Sequence, residues 1–208
     1  MIRAVIFDVD GVLLDSFEGN LKFFGDLLEH AGYPAPTREE YATMMHLSMW
    51  DVIKERTGLT DDGKIREIYD IGKRREIPYP LDLLNVPDDI GPVIGALDER
   101  YLLGVVTSRV RSSVFEAPKL VELEGYFRTT VSYEDTDEHK PAPEPLLLAA
   151  KLLGVAPGES VYVGDTESDV IAARAAGMKI VLYSKTDRFG ADAYAPTLSD
   201  IPALIECW

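Results

Sequence analysis

An α/β fold built on an open parallel sheet is the architecture that this sequence predicts. Short runs rich in Val, Ile and Leu recur along the chain without polar alternation, and stretches with helical periodicity separate them. Uniformly apolar runs are typical of parallel strands that are covered on both faces. Strands that alternate with helices favour a Rossmann-like sheet with right-handed crossover connections.

Each predicted element has a local reason. The predicted strands are the apolar runs Ala4–Phe7, Leu102–Thr107, Thr129–Ser132, Ser160–Gly164 and Lys179–Tyr183. A helix is predicted over Pro143–Leu153, because a proline opens the segment and Gly154 follows it. A second helix is predicted over Ser168–Ala176, which Gly177 closes.

Residues 16–85 interrupt this alternation with helical periodicity alone. The first helix there should bury one stripe of side chains, namely Leu21, Phe24, Leu28 and Ala31. The next should begin with a capping box in which Thr37 and Glu40 bond each other's backbone N–H groups. We therefore predict a separate helical subdomain over 16–85, inserted into an α/β core of residues 1–15 and 86–208.

The charge balance limits the partners that this chain can bind. Lys and Arg number 21 against 36 Asp and Glu, which gives a net charge of −15. This acidity disfavours nucleic acid and anionic membrane surfaces, because both are bound through basic faces. Cys207 is the one cysteine, so no intrachain disulfide is expected, and no signal-like or spanning apolar segment is present. We expect a cytoplasmic protein.

Acidic residues follow two of the predicted strands. Asp8 and Asp10 come after the first strand, and Asp165 and Asp169 come after the fourth. Ligands bind beyond the carboxyl ends of parallel strands, so these carboxylates should face one site. Clustered carboxylates repel one another, and oxygen ligands of this kind suit Mg²⁺. The sequence therefore predicts a magnesium site at this edge of the sheet.

Two other strand ends supply groups that can hold an anion. Thr107 and Ser108 offer a hydroxyl and backbone N–H groups that should lead into a helix, and Lys140 lies in a proline-containing turn. Carboxylates, a metal ion, a hydroxyl and a fixed cation are the parts that phosphoryl transfer requires. An aspartate can act in such a site as a covalent nucleophile.

Four motifs in a fixed order resemble those of the haloacid dehalogenase-like hydrolase superfamily. They read FDVDGV, VVTS, HKPAPEP and VGDTESD, and they extend over the whole predicted core. Within that superfamily the chain resembles the phosphoglycolate phosphatase and β-phosphoglucomutase subfamily, which carries a helical cap after its first strand. The resemblance implies that 16–85 is such a cap.

The resemblance also implies a role for each motif residue. Asp8 would be the nucleophile that becomes phosphorylated, and Asp10 would be the general acid and then the general base. Thr107 would bind phosphoryl oxygens together with the N–H group of Ser108. Lys140 would neutralise the charge of Asp8 and of the phosphoryl group.

The metal ligands follow from the same resemblance. Asp165 would bind Mg²⁺ together with Asp8 and the backbone carbonyl of Asp10. Asp169 would hold either Lys140 or a metal-bound water in place, and we include it among the metal-site residues.

Two further residues are candidates for substrate binding. Arg109 is close enough in sequence to Thr107 to reach a second anionic group, although a solvent-facing charge on a helix is the simpler interpretation. His46 lies where the family's cap offers its specificity loop, and packing or solvent exposure is again the simpler interpretation.

We therefore predict a Mg²⁺-dependent phosphatase of a small phosphorylated metabolite. One alternative is a sugar phosphomutase of the β-phosphoglucomutase type, which returns the phosphoryl group to the substrate. Another is a regulatory protein that uses Asp8 as a phosphoacceptor, as a response-regulator receiver does. The sequence does not choose between a monomer and a homodimer.

Overall fold

The computed structural model describes residues 1–186 and 188–208, and within them six parallel strands form one sheet. The strands are β1 (Ala4–Phe7), β2 (Leu102–Val106), β3 (Phe127–Val131), β4 (Ser160–Gly164), β5 (Lys179–Tyr183) and β6 (Ala193–Ala195). β1, β4 and β5 have the predicted bounds. β2 ends one residue early, which leaves Thr107 beyond the strand, while β3 begins at Phe127 and ends at Val131. β6 is a strand that the sequence did not predict.

The order of the strands fixes where a ligand can bind. Across the sheet the order is β3-β2-β1-β4-β5-β6, so β1 lies between β2 and β4. The chain runs outward from β1 in one direction through β2 and β3, and in the other through β4, β5 and β6. A crevice opens at such a switch point, beyond the carboxyl ends of the two strands between which the direction reverses. Both acidic motifs lie there.

Contacts along the chain divide it into two compact units, Ser16–Asn85 and the remainder, Met1–Asp15 with Val86–Trp208. The Ser16–Asn85 unit holds four helices: α1 (Phe17–His30), α2 (Arg38–Ala42), α3 (Met49–Thr57) and α4 (Asp62–Lys73). α4 packs against α1 and α3.

The first two helices of this unit test two local predictions. In α1, Phe24 and Leu28 are buried as predicted, but Leu21 and Ala31 are only half-buried. Phe23 and Leu27 complete the buried face, so this face is centred beside the predicted stripe and leaves the two ends of the stripe partly exposed. The predicted capping box of α2 is present: Glu40 N–H donates to Thr37 Oγ1 at 3.2 Å, and Thr37 N–H donates to Glu40 Oε2 at 2.7 Å.

The other unit contains the sheet and its covering helices. These helices are α5 (Ile90–Asp98), α6 (Pro118–Val121), α7 (Glu144–Leu153), α8 (Glu167–Ala176) and α9 (Ile201–Glu206). α7 and α8 cover one buried cluster, in which Leu146 and Ala173 pack with strand residues such as Ile6, Tyr162 and Ile180. Burial of aliphatic side chains on this scale is the main stabilising contribution to such a core. In the part of the chain that the structure describes, no helix is both long and apolar enough to cross a membrane.

Candidate active site

A tight turn after β1 presents Asp8 and Asp10. Asp8 N–H donates to Val163 O at 2.9 Å, which continues the pairing of β1 with β4 past the end of the strand. The backbone N–H groups of the next apolar residues, Val12 to Leu14, all donate hydrogen bonds to Val9 O. Gly11 has a φ of 77°, a left-handed conformation that glycine adopts without steric cost. The turn therefore fixes both aspartates at the carboxyl edge of the sheet.

Two glycines make room for the acids that follow β4. A Cβ atom on Gly11 would overlap the carboxylate of Asp165, and a Cβ on Gly164 would overlap the side chain of Asp169. The absence of a side chain on Gly11 lets the turn after β1 approach Asp165, and its absence on Gly164 lets Asp169 lie against the end of β4. The two acidic motifs are thereby brought into direct contact.

Lys140 lies at the centre of the cluster and contacts two carboxylates. Its Nζ is 2.9 Å from Asp8 Oδ2 and 2.8 Å from Asp169 Oδ1. It also donates to Tyr162 Oη at 2.9 Å. These side chains are all buried, so the charges attract each other with little screening by solvent.

Tyr162 is a member of this cluster that the sequence analysis missed. Its hydroxyl contacts Lys140 Nζ, lies 3.3 Å from Asp169 Oδ1 and can donate to Val106 O at 3.3 Å. The one available signal was a tyrosine in the middle of a fully buried strand, since a buried phenol hydroxyl usually has a hydrogen-bond partner. That signal does not reveal which partner.

Asp169 has both carboxylate oxygens engaged within the protein. Oδ1 faces Lys140 and Tyr162, while Oδ2 accepts from Thr166 Oγ1 at 2.6 Å and from the N–H groups of Thr166 and Asp165 at 3.0 and 3.2 Å. Asp169 N–H in turn donates to Thr166 Oγ1, which completes a capping box at the start of α8. Asp169 is thus held rigidly in contact with Lys140.

The environment shifts the pKa of each buried group. Burial raises the pKa of Asp8 from 3.8 to about 7; Lys140 opposes that rise, and Asp169 and Asp10 add to it. Burial also raises the pKa of Asp165 well above its usual range, with Asp169 and Asp8 contributing. Burial acts on Asp169 in the same direction, but Lys140 and Thr166 outweigh it and lower its pKa. Burial alone would lower the pKa of Lys140, yet Asp169 and Asp8 raise it.

The acidic cluster fits a divalent cation. Asp8, Asp165 and Asp169 each offer a carboxylate oxygen, and these oxygens lie within 4.8 Å of one another. Asp165 Oδ1 is buried and has no hydrogen-bond partner among the residues described. An orphaned carboxylate oxygen beside a second carboxylate is the donor set of a hard cation such as Mg²⁺. Asp169 Oδ2 already accepts three hydrogen bonds, whereas Asp8 Oδ1 accepts from Val9 N–H at 2.8 Å, so Asp8 and Asp165 are the carboxylates best suited to bind it.

The end of β2 differs from the prediction in one respect. Thr107 is buried, its N–H donates to Val131 O at 3.0 Å, and its Oγ1 accepts from Arg109 N–H at 3.2 Å. Ser108 is half-buried beside it. The expected helix does not follow: the described segment continues into a 3-10 turn at Arg111–Ser113. Any anion binding here depends on the loop and not on a helix N-terminus.

Arg109 is neither solvent-facing nor on a helix. It is 8% exposed, and its guanidinium forms two parallel hydrogen bonds with Asp10, Nε to Oδ2 and Nη2 to Oδ1, both at 2.9 Å. Nη1 donates to Ser113 O at 3.1 Å and lies 3.5 Å from Glu116 Oε1. The simpler interpretation of Arg109 was therefore wrong. No sequence signal links two residues this far apart in the chain.

His46 belongs to the Ser16–Asn85 unit, whereas the motifs belong to the other unit. It occupies the turn between α2 and α3, and its side chain is exposed. Its role in substrate binding stays a prediction.

The chain matches a known protein family and is similar to curated proteins. A family model described as haloacid dehalogenase-like hydrolase matches residues 5–183. The pyrophosphatase PpaX of Bacillus pumilus is 34% identical over 187 residues, which are 86% of this chain and 81% of that protein.

Solved structures with the same fold cover nearly the whole chain. A haloacid dehalogenase-superfamily hydrolase of subfamily IA from Geobacter sulfurreducens has a TM-score of 0.71 and 31% identity, and the match covers 98% of this chain and 96% of that one. A Thermotoga maritima protein provisionally named β-phosphoglucomutase has a TM-score of 0.67 and 26% identity over 99% of both chains.

Proposed function

The chain belongs to the haloacid dehalogenase-like hydrolase family and is a phosphatase, and from this we propose that it hydrolyses a small phosphorylated metabolite with Mg²⁺ through an aspartyl-phosphate intermediate. One observation carries the proposal. Asp8 is buried in contact with Lys140 and lies beside Asp165, whose Oδ1 has no hydrogen-bond partner among the described residues. A nucleophile, a fixed cation and a free metal ligand are therefore adjacent.

In the first step Asp8 attacks the phosphorus atom of the substrate. A bond forms between the carboxylate oxygen and phosphorus, and the bond from phosphorus to the leaving oxygen breaks. Asp10 gives its carboxyl proton to the leaving oxygen. The Lys140 ammonium, the Thr107 hydroxyl and the Ser108 N–H group bind the phosphoryl oxygens in this scheme.

In the second step water releases the phosphoryl group. Asp10, now ionised, takes a proton from the water, whose oxygen attacks phosphorus while the bond to Asp8 breaks. Inorganic phosphate leaves, and both aspartates return to their starting states. Asp169 contributes by orienting Lys140.

The metal would be held by Asp8, Asp165 and the backbone carbonyl of Asp10. When bound, Mg²⁺ neutralises negative charge on the carboxylates and the phosphoryl group. A dication at this position would also oppose the rise that burial gives the pKa of Asp8, because it would favour the ionised, nucleophilic carboxylate.

The first substrate to test is inorganic pyrophosphate, since that is the activity for which the Bacillus relative is named. Phosphoglycolate and sugar phosphates are the next candidates, because the sequence resembles that subfamily. We propose that the Ser16–Asn85 unit acts as the cap and that His46 takes part in choosing among these substrates.

A phosphomutase is the second candidate, supported by the likeness to the Thermotoga protein. Both reactions use the same aspartyl phosphate, and they differ in its acceptor. Stoichiometric release of free phosphate favours the phosphatase, whereas isomerisation of a sugar phosphate without release favours the mutase. Membership of a hydrolase family favours either one over a stable regulatory phosphoacceptor.

Replacement of Asp8 tests the proposal directly. Asp8→Asn keeps the shape of the side chain but removes the nucleophile, so phosphate release from pyrophosphate or p-nitrophenyl phosphate should fall by about 10³-fold or more. Asp98→Asn, which alters a surface carboxylate near Arg128, is the matched control and should keep full activity. Full activity in Asp8→Asn would refute the proposed mechanism.

A further inference from the structure

We propose that Arg109 is a positioning residue that holds the carboxylate of Asp10 in its working orientation, and that it does not bind a phosphate group of the substrate. The inference rests on the proposed function, because the role of Asp10 as general acid and base comes from there. The observation behind it is the buried two-point contact between these side chains.

The geometry of the pair fixes more than a distance. Two parallel hydrogen bonds of 2.9 Å join the edge of the guanidinium to both oxygens of Asp10. Such a fork sets the plane of the carboxylate as well as its position, which a single contact does not. The Asp10 side chain is 19% exposed and that of Arg109 is 7% exposed, so solvent competes weakly for either group.

Arg109 is itself anchored on several sides. Nη1 reaches Ser113 O and Glu116 Oε1, and the backbone N–H of Arg109 donates to Thr107 Oγ1. Arg109 O accepts from Tyr133 N–H at 2.9 Å. The loop after β2 thus holds the guanidinium in place, and the guanidinium holds the carboxylate that follows β1.

The charges argue against a direct role in phosphate binding. The single positive charge of Arg109 is shared between the carboxylates of Asp10 and Glu116. A phosphate group approaching the guanidinium would be repelled by both of these carboxylates. Withdrawal of the guanidinium toward a substrate would also remove both of its hydrogen bonds to Asp10, whose side chain is only partly exposed to solvent, and this loss is unfavourable.

A positioning role has a specific kinetic signature. Proton donation matters most when the leaving oxygen is strongly basic, as in the alkoxide of glycerol 2-phosphate. It matters little for p-nitrophenyl phosphate, whose phenolate leaves without a proton. Loss of Arg109 should therefore impair the first substrate more than the second, as loss of Asp10 does.

The test compares kcat/KM for these two substrates in Arg109→Met, Arg109→Lys, Asp10→Asn and the double variant Asp10→Asn/Arg109→Met. Asp10→Asn should lower the value for glycerol 2-phosphate by about 10²–10⁴-fold. Arg109→Met should lower kcat/KM for glycerol 2-phosphate at least about tenfold more than kcat/KM for p-nitrophenyl phosphate, mainly through kcat. The values for Arg109→Lys should lie between those of Arg109→Met and the wild type. The double variant should match Asp10→Asn within about twofold, because the two residues act as one unit.

Controls separate this inference from the function on which it rests. Arg111→Met changes a nearby surface arginine that pairs with Asp135, and it should leave the ratio between the two substrates unchanged. Partial unfolding of a variant does not change the ratio of kcat/KM between the two substrates, because it lowers both values by the same factor. Equal losses on both substrates with a raised KM, and multiplicative losses in the double variant, would make Arg109 a substrate ligand and overturn the inference. An unchanged ratio in Asp10→Asn would instead overturn the acid role of Asp10 and with it this inference.

Discussion

Lys140 is the residue on which the charge balance of the site depends. It lies between Asp8 and Asp169, and both carboxylates are buried. Only Asp169 also receives hydrogen bonds from Thr166, which explains why its pKa is lowered while that of Asp8 is raised. The two carboxylates therefore differ: the surroundings of Asp169 favour its ionised form, whereas burial disfavours the charge on Asp8.

Replacement of Tyr162 tests the buried contacts of Lys140. Tyr162→Phe removes a hydroxyl that accepts from Lys140 and leaves polar partners in a water-poor site. We expect the free energy of unfolding to fall by about 1–3 kcal/mol, and kcat/KM to fall by about tenfold or less, because Asp8 and Asp169 still hold Lys140. Urea denaturation and steady-state kinetics measure the two effects.

Tyr194→Phe is the control for that change. Tyr194 is 43% exposed on β6, and the loss of its hydroxyl should alter the free energy of unfolding by no more than about 0.5 kcal/mol. The same small effect in Tyr162→Phe would show that the buried hydroxyl does not stabilise Lys140.

At the scale of elements, the turn after β1 packs closely against Asp165, which follows β4, because Gly11 has no side chain. The pattern of apolar runs gave the bounds of β1, β4 and β5 because these strands are buried on both faces. It missed β6, since Ala193–Ala195 is too short to form a pattern. The sequence analysis also predicted a helix after Thr107 and Ser108, where a 3-10 turn lies instead. In that loop Arg109 contacts Ser113 O and also Asp10, which follows a different strand.

Gly11→Ala tests whether the close approach of the two acidic motifs supports metal binding. The new methyl group would overlap the Asp165 carboxylate and strain a backbone at φ 77°. We expect Mg²⁺ affinity to fall by about tenfold or more and the free energy of unfolding to fall by about 1–2 kcal/mol. Isothermal titration calorimetry and chemical denaturation measure these quantities.

Gly177→Ala separates backbone strain from overlap with the site. Gly177 has a φ of 73°, and apart from its chain neighbours no described residue has an atom within 4 Å of the added Cβ, so its replacement should cost similar stability and leave Mg²⁺ affinity unchanged. Equal Mg²⁺ affinities in the two variants would mean that the position of Asp165 does not depend on Gly11.

At the scale of the whole molecule, stability should depend on pH and Mg²⁺ together. The pKa of Asp8 is about 7 in the folded protein and 3.8 when unperturbed, so between these values the folded state binds the proton and the unfolded state releases it. Proton binding to Asp8 therefore stabilises the folded, metal-free protein at low pH, and the free energy of unfolding falls as pH rises from about 4 through 7. Mg²⁺ bound at Asp8 would favour the ionised form and would offset this loss.

The expected result is that stabilisation by Mg²⁺ grows as pH rises from 5 to about 8. At a Mg²⁺ concentration about 100 times Kd, Tm should rise by roughly 5–10 °C at the upper end of this range. Thermal melts with and without Mg²⁺ measure the difference, and Asp165→Asn should lose most of it. A stabilisation that is independent of pH would argue against a metal bound by Asp8.

The sequence alone determined the fold class, the helical insertion and the motif residues. Apolar runs, caps and motif order are local properties, and parallel strands bring the residues that follow them to one edge of the sheet. Only the tertiary structure decided that Asp169 is fully engaged with Lys140 and Thr166, that Tyr162 joins this cluster, and that Arg109 holds Asp10. Contacts and desolvation set the state of each charge, and both arise between residues that are distant in the chain until folding brings them together.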